Sequence, residues 1–192
     1  MTPNQALWEK GDFTRLAALM RQSGEAIVES LAIRPPLRAL DLGCGDGTTA
    51  VPLAQAGAQV QGIDIARNLV NAGQHRAAEL GVTDRLQFQH GDAAELEGVA
   101  DASFDLALSM FGGFALLLST LALSMFGAMF SPRPFEVARE LVRVVRPGGQ
   151  IVMGNWIPND PTSFVSQLLK ISAAFTPPPP EGFVSPVLWG VE

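Results

Sequence analysis

Apolar residues recur at helical spacing near the start of the chain. Leu16, Met20, Ile27, Val28 and Leu31 predict a helix over residues about 5 to 32, closed by Pro35-Pro36. The period then shortens. RALDL (Arg38 to Leu42) reads as a strand, and GCGDGTT turns the chain into a short helix over Val51 to Gln55. The alternation repeats, with AQVQGIDI (Ala58 to Ile65) a strand, Asn68 to Leu80 a helix, RLQFQHGD (Arg85 to Asp92) a strand and SFDLALSM (Ser103 to Met110) another. Phe135 to Val145 has an amphipathic helical period that Pro147-Gly148-Gly149 stops, and QIVMGNW (Gln150 to Trp156) predicts a fifth strand.

Strands alternating with helices at this spacing pair in parallel through right-handed crossovers. The expected class is therefore α/β: a Rossmann-like, doubly wound, mainly parallel sheet of about five strands with helices on both faces. Ligands of such sheets bind beyond the carboxyl ends of the strands, which directs attention to Gly43 through Gly47, Asp64, Asp92 and the stretch after Ser109.

Composition narrows the function. The 192 residues and 47% hydrophobic content suit one domain with a substantial core. Thirteen basic against 19 acidic residues give a net charge of -6, which offers a phosphate backbone no electrostatic footprint, so nucleic acid is not an expected partner. Cys44 is the only cysteine, so no intramolecular disulfide can form. Glu9, Lys10 and Asp12 fall where a secretory signal needs an apolar run, and a cytoplasmic location is expected.

In LDLGCGDGT the glycines at 43, 45 and 47 allow a sharp strand-to-helix turn that a ligand can approach closely. The dinucleotide pattern G-x-G-x-x-G is broken, because Thr48 stands where its third glycine belongs. Asp41, just ahead of the loop, suits a ligand ammonium and would repel a pyrophosphate. Asp64 ends the second strand, where a carboxylate can accept from both hydroxyls of a ribose, and Asp92 ends the third, where one can accept from an exocyclic adenine amine. Taken singly, each has a plainer alternative: a glycine turn of any doubly wound protein, a helix N-cap at Asp64, a turn residue at Asp92. One nucleoside ligand explains all of them together.

The ordered run LDLGCGDGT, GIDI, GDAAEL, FDLALSMFG and ARELVRVVRPGGQIVMGNW resembles the motif set of class I S-adenosylmethionine-dependent methyltransferases, nearest the group similar to ubiquinone and menaquinone biosynthesis enzymes. The resemblance spans roughly residues 8 to 192. It implies S-adenosylmethionine as cofactor, with Asp41, Gly43, Cys44 and Gly45 near its methionine part and Asp64 and Ile65 at the ribose and adenine. Asp92 and Ala93 would lie at the adenine, and Ser109 and Met110 beside the methyl-donor end. Cys44 reads as a small backbone-hugging residue rather than a nucleophile. No metal site is expected.

A sulfonium methyl is already activated, so catalysis needs alignment and exclusion of water more than a dedicated base. No catalytic residue is assigned. His75 is expected in solvent and His90 in a structural role beside the adenine pocket. SMFG after the fourth strand lacks the Asn/Asp-Pro-Pro-aromatic pattern of amine methylation on nucleic acids, which leaves a small-molecule acceptor. Trp8 and Phe13 are candidates to cover the site from the N-terminal helix.

Two features depart from the family pattern. LALSMFG occurs at Leu106 to Gly112 and again at Leu121 to Gly127; the first copy is assigned to the fourth strand, and Phe114 to Phe126 reads as an inserted apolar helix. Residues 106–131 carry no charge, which raises a membrane span, although glycines, serines and a threonine interrupt the run and disfavour one. An exposed insert would favour self-association. After the fifth strand a helix is expected at Thr162 to Ala174, then the loop TPPPPEGF, and no antiparallel hairpin is visible. A helix start at Ser185-Pro186 without a C-cap suggests a shortened chain.

The expected plan is one domain over 1–192: an N-terminal helical cap over 1–35, a cofactor-binding core over 36–156 with an apolar insert near 112–127, and a truncated substrate-side segment over 157–192. The competing functions are a cofactor-binding but catalytically defective relative and a membrane-associated protein.

Overall fold

The computed structural model describes residues 3–10, 13–110, 131–154, 161, 162, 167, 170 and 171. Five strands, β1 (Arg38–Leu42), β2 (Gln59–Asp64), β3 (Leu86–His90), β4 (Phe104–Ser109) and β5 (Val145–Met153), form one sheet in the order β3-β2-β1-β4-β5. Every pairing is parallel. β1 is central, with β2 on one side and β4 on the other, so the strand order reverses there and opens a crevice at the carboxyl ends.

Helices cover both faces, as the alternation of apolar residues on β1 requires. Ala39 packs with Val28 of α2 (Phe13–Ser30), Leu53 of α3 (Ala50–Gln55) and Val70 and Ala77 of α4 (Arg67–Glu79). Leu40 and Leu42 pack with Val137, Leu141 and Val144 of α5 (Pro134–Val144) on the other face. Burial on both sides explains why β1 and β4 read as near-continuous apolar runs.

The single helix expected over 5 to 32 is in fact two, α1 (Pro3–Trp8) and α2, with a turn at Glu9 and Lys10. Glu9-Lys10-Gly11-Asp12 supplies no apolar residue to hold a continuous helix against the core, and a helical glycine costs about 1 kcal/mol. Trp8 and Phe13 pack across the break, ring centroids 5.5 Å apart.

The fifth strand also begins earlier than expected. α5 passes directly into β5 at Val145, and Pro147-Gly148-Gly149 lies within the strand's span. Phe104 pairs with Val145 and Leu106 with Gln150, so Arg146 to Gly149 bulge opposite Asp105 alone. A side chain at Gly149 would fall 2.8 Å from the Asp105 carbonyl oxygen, and Arg146 Nε donates to Asp105 Oδ1 at 2.5 Å. Asn155 and Trp156, expected at the strand's end, lie outside the described residues.

β4 is built from the first LALSMFG copy, between β1 and β5. The second copy, the insert near 112–127, most of the segment 157–192 and the helix start at Ser185-Pro186 lie outside the described residues. Among the described residues, no helix is long and apolar enough to cross a membrane.

Candidate functional site

The loop after β1 is stitched to its neighbours by backbone bonds. Gly43 and Cys44 donate to the Ile63 carbonyl at 2.8 and 3.2 Å, and Gly91 donates to the Asp64 carbonyl at 3.0 Å. The carboxyl ends of β1, β2 and β3 are thereby gathered in one place. Within the loop, Gly47 has φ of 87°, and a side chain there would lie 2.8 Å from Phe88 Cζ, so only glycine fits. Gly45, with φ of 55°, differs: a side chain there would meet nothing within 4 Å. Bare backbone at Gly45 therefore fronts open space.

Two buried carboxylates belong to the same cluster, Asp64 bonded to Gly45 and Asp41 within charge range of Asp64. Asp41 is 1% exposed and accepts from Thr49 Oγ1 at 2.5 Å. Burial raises its pKa to about 6, against the opposing pull of the Thr49 hydroxyl, with the charge of Asp64 adding to the rise. Asp64 is 8% exposed and accepts from Gly45 N and Ala66 N, each at 2.8 Å. Burial raises its pKa too, partly offset by those amide bonds. Among the described residues, neither carboxylate has a salt-bridge partner. Buried acids are ordinarily paired, so a cationic or hydroxyl-bearing ligand is the missing partner that chemistry calls for. Cys44 is 5% exposed and within charge range of both; burial, then the charges of Asp64 and Asp41, push its thiol pKa well up and leave it a poor nucleophile.

The third strand end is engaged differently. Asp92 Oδ1 accepts from Ala94 N at 2.9 Å, and Oδ2 accepts from Arg133 Nη2 at 2.9 Å. Arg133 also donates to Glu95 at 2.7 Å, so it latches the turn after β3. Ile65 and Ala93 are half-buried beside their acids. Ser109 is 1% exposed and donates from Oγ to the Leu42 carbonyl at 3.0 Å, which joins the ends of β4 and β1; Met110 packs against the core on the α2–α4 face.

The structure thus joins Asp41, Gly43, Cys44, Gly45 and Asp64 by direct bonds or close charge interactions, and sets Asp92 and Ser109 on adjoining strand ends. His75 is exposed, and His90 is half-buried with Nε2 3.4 Å from Gln5 Nε2 of α1. Arg133 and Thr49 join the site beyond the residues that the sequence motifs point to. Thr49 follows the glycines at the helix start, a legible cue, whereas Arg133 reaches Asp92 from a remote part of the chain. A second, open groove of about 540 Å³ at the amino ends of β4 and β5 is lined by Val142, Arg143, Arg146 and Ile151. Its arginines are committed to Glu140, Asp101 and Asp105, so it offers no free chemistry.

Residues 40–153 match the family described as a methyltransferase domain. An uncharacterized protein of Mycobacterium tuberculosis is 33% identical over 192 residues, which is 100% of this chain and 62% of that protein. The 27-O-demethylrifamycin SV methyltransferase of Amycolatopsis mediterranei is 34% identical over 146 residues, 73% of this chain and 48% of that one. The crystal structure of the YcgJ protein from Bacillus subtilis superposes with a TM-score of 0.58 at 25% identity, covering 73% of this chain and 53% of that one. The chain spans about three fifths of the length of the first of these relatives.

Proposed function

The chain belongs to the class I S-adenosylmethionine-dependent methyltransferases, and from that premise we propose that it binds this cofactor across the ends of β1, β2 and β3 and directs methyl transfer to a small-molecule acceptor. One observation carries the reading: two buried carboxylates, Asp41 and Asp64, that have no salt-bridge partner among the described residues, Asp64 bonded directly to the bare backbone of Gly45. When bound, the cofactor supplies a sulfonium methyl activated for in-line displacement.

Each residue then has a role. Asp41 holds the ammonium of the methionine part, because a ligand cation replaces solvation that burial has removed. Gly43, Cys44 and Gly45 supply the backbone along which that part lies. Asp64 accepts from the Gly45 and Ala66 amides, with a further contribution from that of Ile65, and its remaining lone pairs face ribose hydroxyls, with the Ile65 side chain beside the ring. Asp92 and Ala93 receive the adenine, and Arg133 holds the Asp92 carboxylate in its orientation. Ser109 and Met110, at the end of β4, border the acceptor side. An acceptor of small size fits the net charge of -6, and the Amycolatopsis relative is named for one, 27-O-demethylrifamycin SV.

Isothermal titration with S-adenosylmethionine tests this. The wild-type chain should bind it, and Asp64→Ala should bind about 10- to 100-fold more weakly, the loss of roughly 1.5 to 3 kcal/mol expected for charge-assisted hydrogen bonds. No binding by the wild type at millimolar cofactor overturns the proposal.

A further inference from the structure

Two arginines with no role in the reading above converge on the outer half of the glycine loop. From α2, Arg21 donates through Nη1 and Nη2 to both oxygens of Asp46, at 3.1 and 2.6 Å. The Asp46 side chain is 4% exposed. From α4, Arg76 Nη1 donates to the Gly47 carbonyl at 2.6 Å and the Asp46 carbonyl at 3.3 Å. Gly24 brings the backbone of α2 down onto the same place, for a side chain there would lie 2.3 Å from the Thr48 carbonyl oxygen. Burial, then the charge of Arg21, lowers the Arg76 pKa to about 10, which leaves it cationic at neutral pH.

A bidentate arginine–carboxylate pair fixes an angle as well as a distance. Its net worth to stability when buried is small or negative, because desolvation offsets the attraction. What it supplies here is geometry. Gly43, Gly45 and Gly47 all occupy the left-handed region, and a loop this rich in glycine would sample many conformations if left untied. Each of those would have to be frozen out when a ligand binds.

We propose that Arg21 and Arg76 are positioning residues that hold Asp46 and Gly47 from behind, so that Gly45 and Asp41 meet the cofactor in a preset arrangement. Neither touches the cofactor; they act through the loop. α2 thereby becomes part of the cofactor site, which its place in the N-terminal segment conceals. The inference rests on the reading that this loop binds S-adenosylmethionine.

The test is titration of the full chain with S-adenosylmethionine at a temperature where each variant is folded by circular dichroism. Arg21→Met should raise Kd about tenfold, and Arg21→Lys about threefold, since an ammonium keeps the charge but loses the fork. In an Asp46→Asn background, where no ion pair exists to break, Arg21→Met should change Kd by less than about twofold. Amide exchange at residues 43–49 should quicken in Arg21→Met while exchange in β4 is unchanged, a local loosening that general destabilisation would not produce. Wild-type affinity in Arg21→Met, or equal weakening in both backgrounds, overturns the clamp and leaves the cofactor reading standing; absence of binding by the wild type overturns the cofactor reading itself. If Arg21→Met fails to fold, Arg76→Met removes only the donor to the two carbonyls and should raise Kd severalfold, and an unchanged Kd there overturns the proposal.

Discussion

Asp41→Asn should stabilise the ligand-free protein at neutral pH and leave it no better off in acid. The wild-type carboxyl titrates at about 6 when folded against an ordinary value of 3.8. The folded state therefore holds a proton that the unfolded chain releases between those values, so stability falls as pH rises through that window and is level above about pH 7. A difference of about 2 pKa units corresponds to roughly 3 kcal/mol of stability lost at pH 7.5. An asparagine carries no charge and keeps one oxygen to accept from Thr49 Oγ1, but it loses the acceptor facing the Ala50 amide. That loss is worth about 1 kcal/mol. The net gain at pH 7.5 is then about 2 kcal/mol, which for a chain of this size raises Tm by roughly 4 to 8 °C. At pH 4 the wild-type carboxyl is protonated in the folded state, and the variant should be less stable by about 1 kcal/mol. Urea unfolding of both proteins from pH 4 to 8 measures the crossing. Parallel stability profiles would refute the buried-charge account, as would a variant less stable than wild type at pH 7.5.

The same titration governs the proposed ligand. Affinity for S-adenosylmethionine should be level above about pH 7 and fall about tenfold per pH unit below 6, because Asp41 must be ionised to meet an ammonium; titrations across pH 5 to 8 check it, and a flat profile would remove Asp41 from the site. Gly73→Ala should destabilise the chain by roughly 2 kcal/mol or more, since the new methyl would lie 2.6 to 2.8 Å from three ring atoms of buried Phe88, and denaturant unfolding with no loss would show that the ring can move aside.

Most of the sheet was legible because its punctuation is local. Arg38 to Leu42 was bounded by Pro35-Pro36 and Gly43, and β1 spans those residues. The break between α1 and α2 is hidden from periodicity, because the apolar spacing is carried by Leu16 to Leu31 and Glu9 to Asp12 contribute nothing to it. The β5 bulge is hidden for another reason: Pro-Gly-Gly signals any departure from regular pairing, and only the opposite strand shows whether the result is a turn or a bulge. In the site, Asp41 and Asp64 could be named because they close strands, where the fold presents ligand groups. Arg21, Arg76 and Arg133 could not, because each joins the site through contacts between elements distant in sequence, and the charge of an arginine on a helix face carries no hint of its target.

Residues 41 to 49 contain two opposed demands, and the structure assigns them to different side chains. Asp41 holds a charge in a place that disfavours it, and Thr48 Oγ1 is buried without a hydrogen-bond partner among the described residues. Neither stabilises the fold, and local departures from stability of this kind are where a ligand has most to offer. Asp46 and Gly47 meet the other demand, since their partners on α2 and α4 keep the loop from relaxing away from the conformation in which those costs persist. Asp41→Asn and Arg21→Met should therefore both weaken cofactor binding while moving ligand-free loop order in opposite directions. The first relieves a buried charge, and the second strands one, because Asp46 then loses its bidentate partner and keeps only the more distant charge of Arg76. A loop organised only for stability would lose order in both variants.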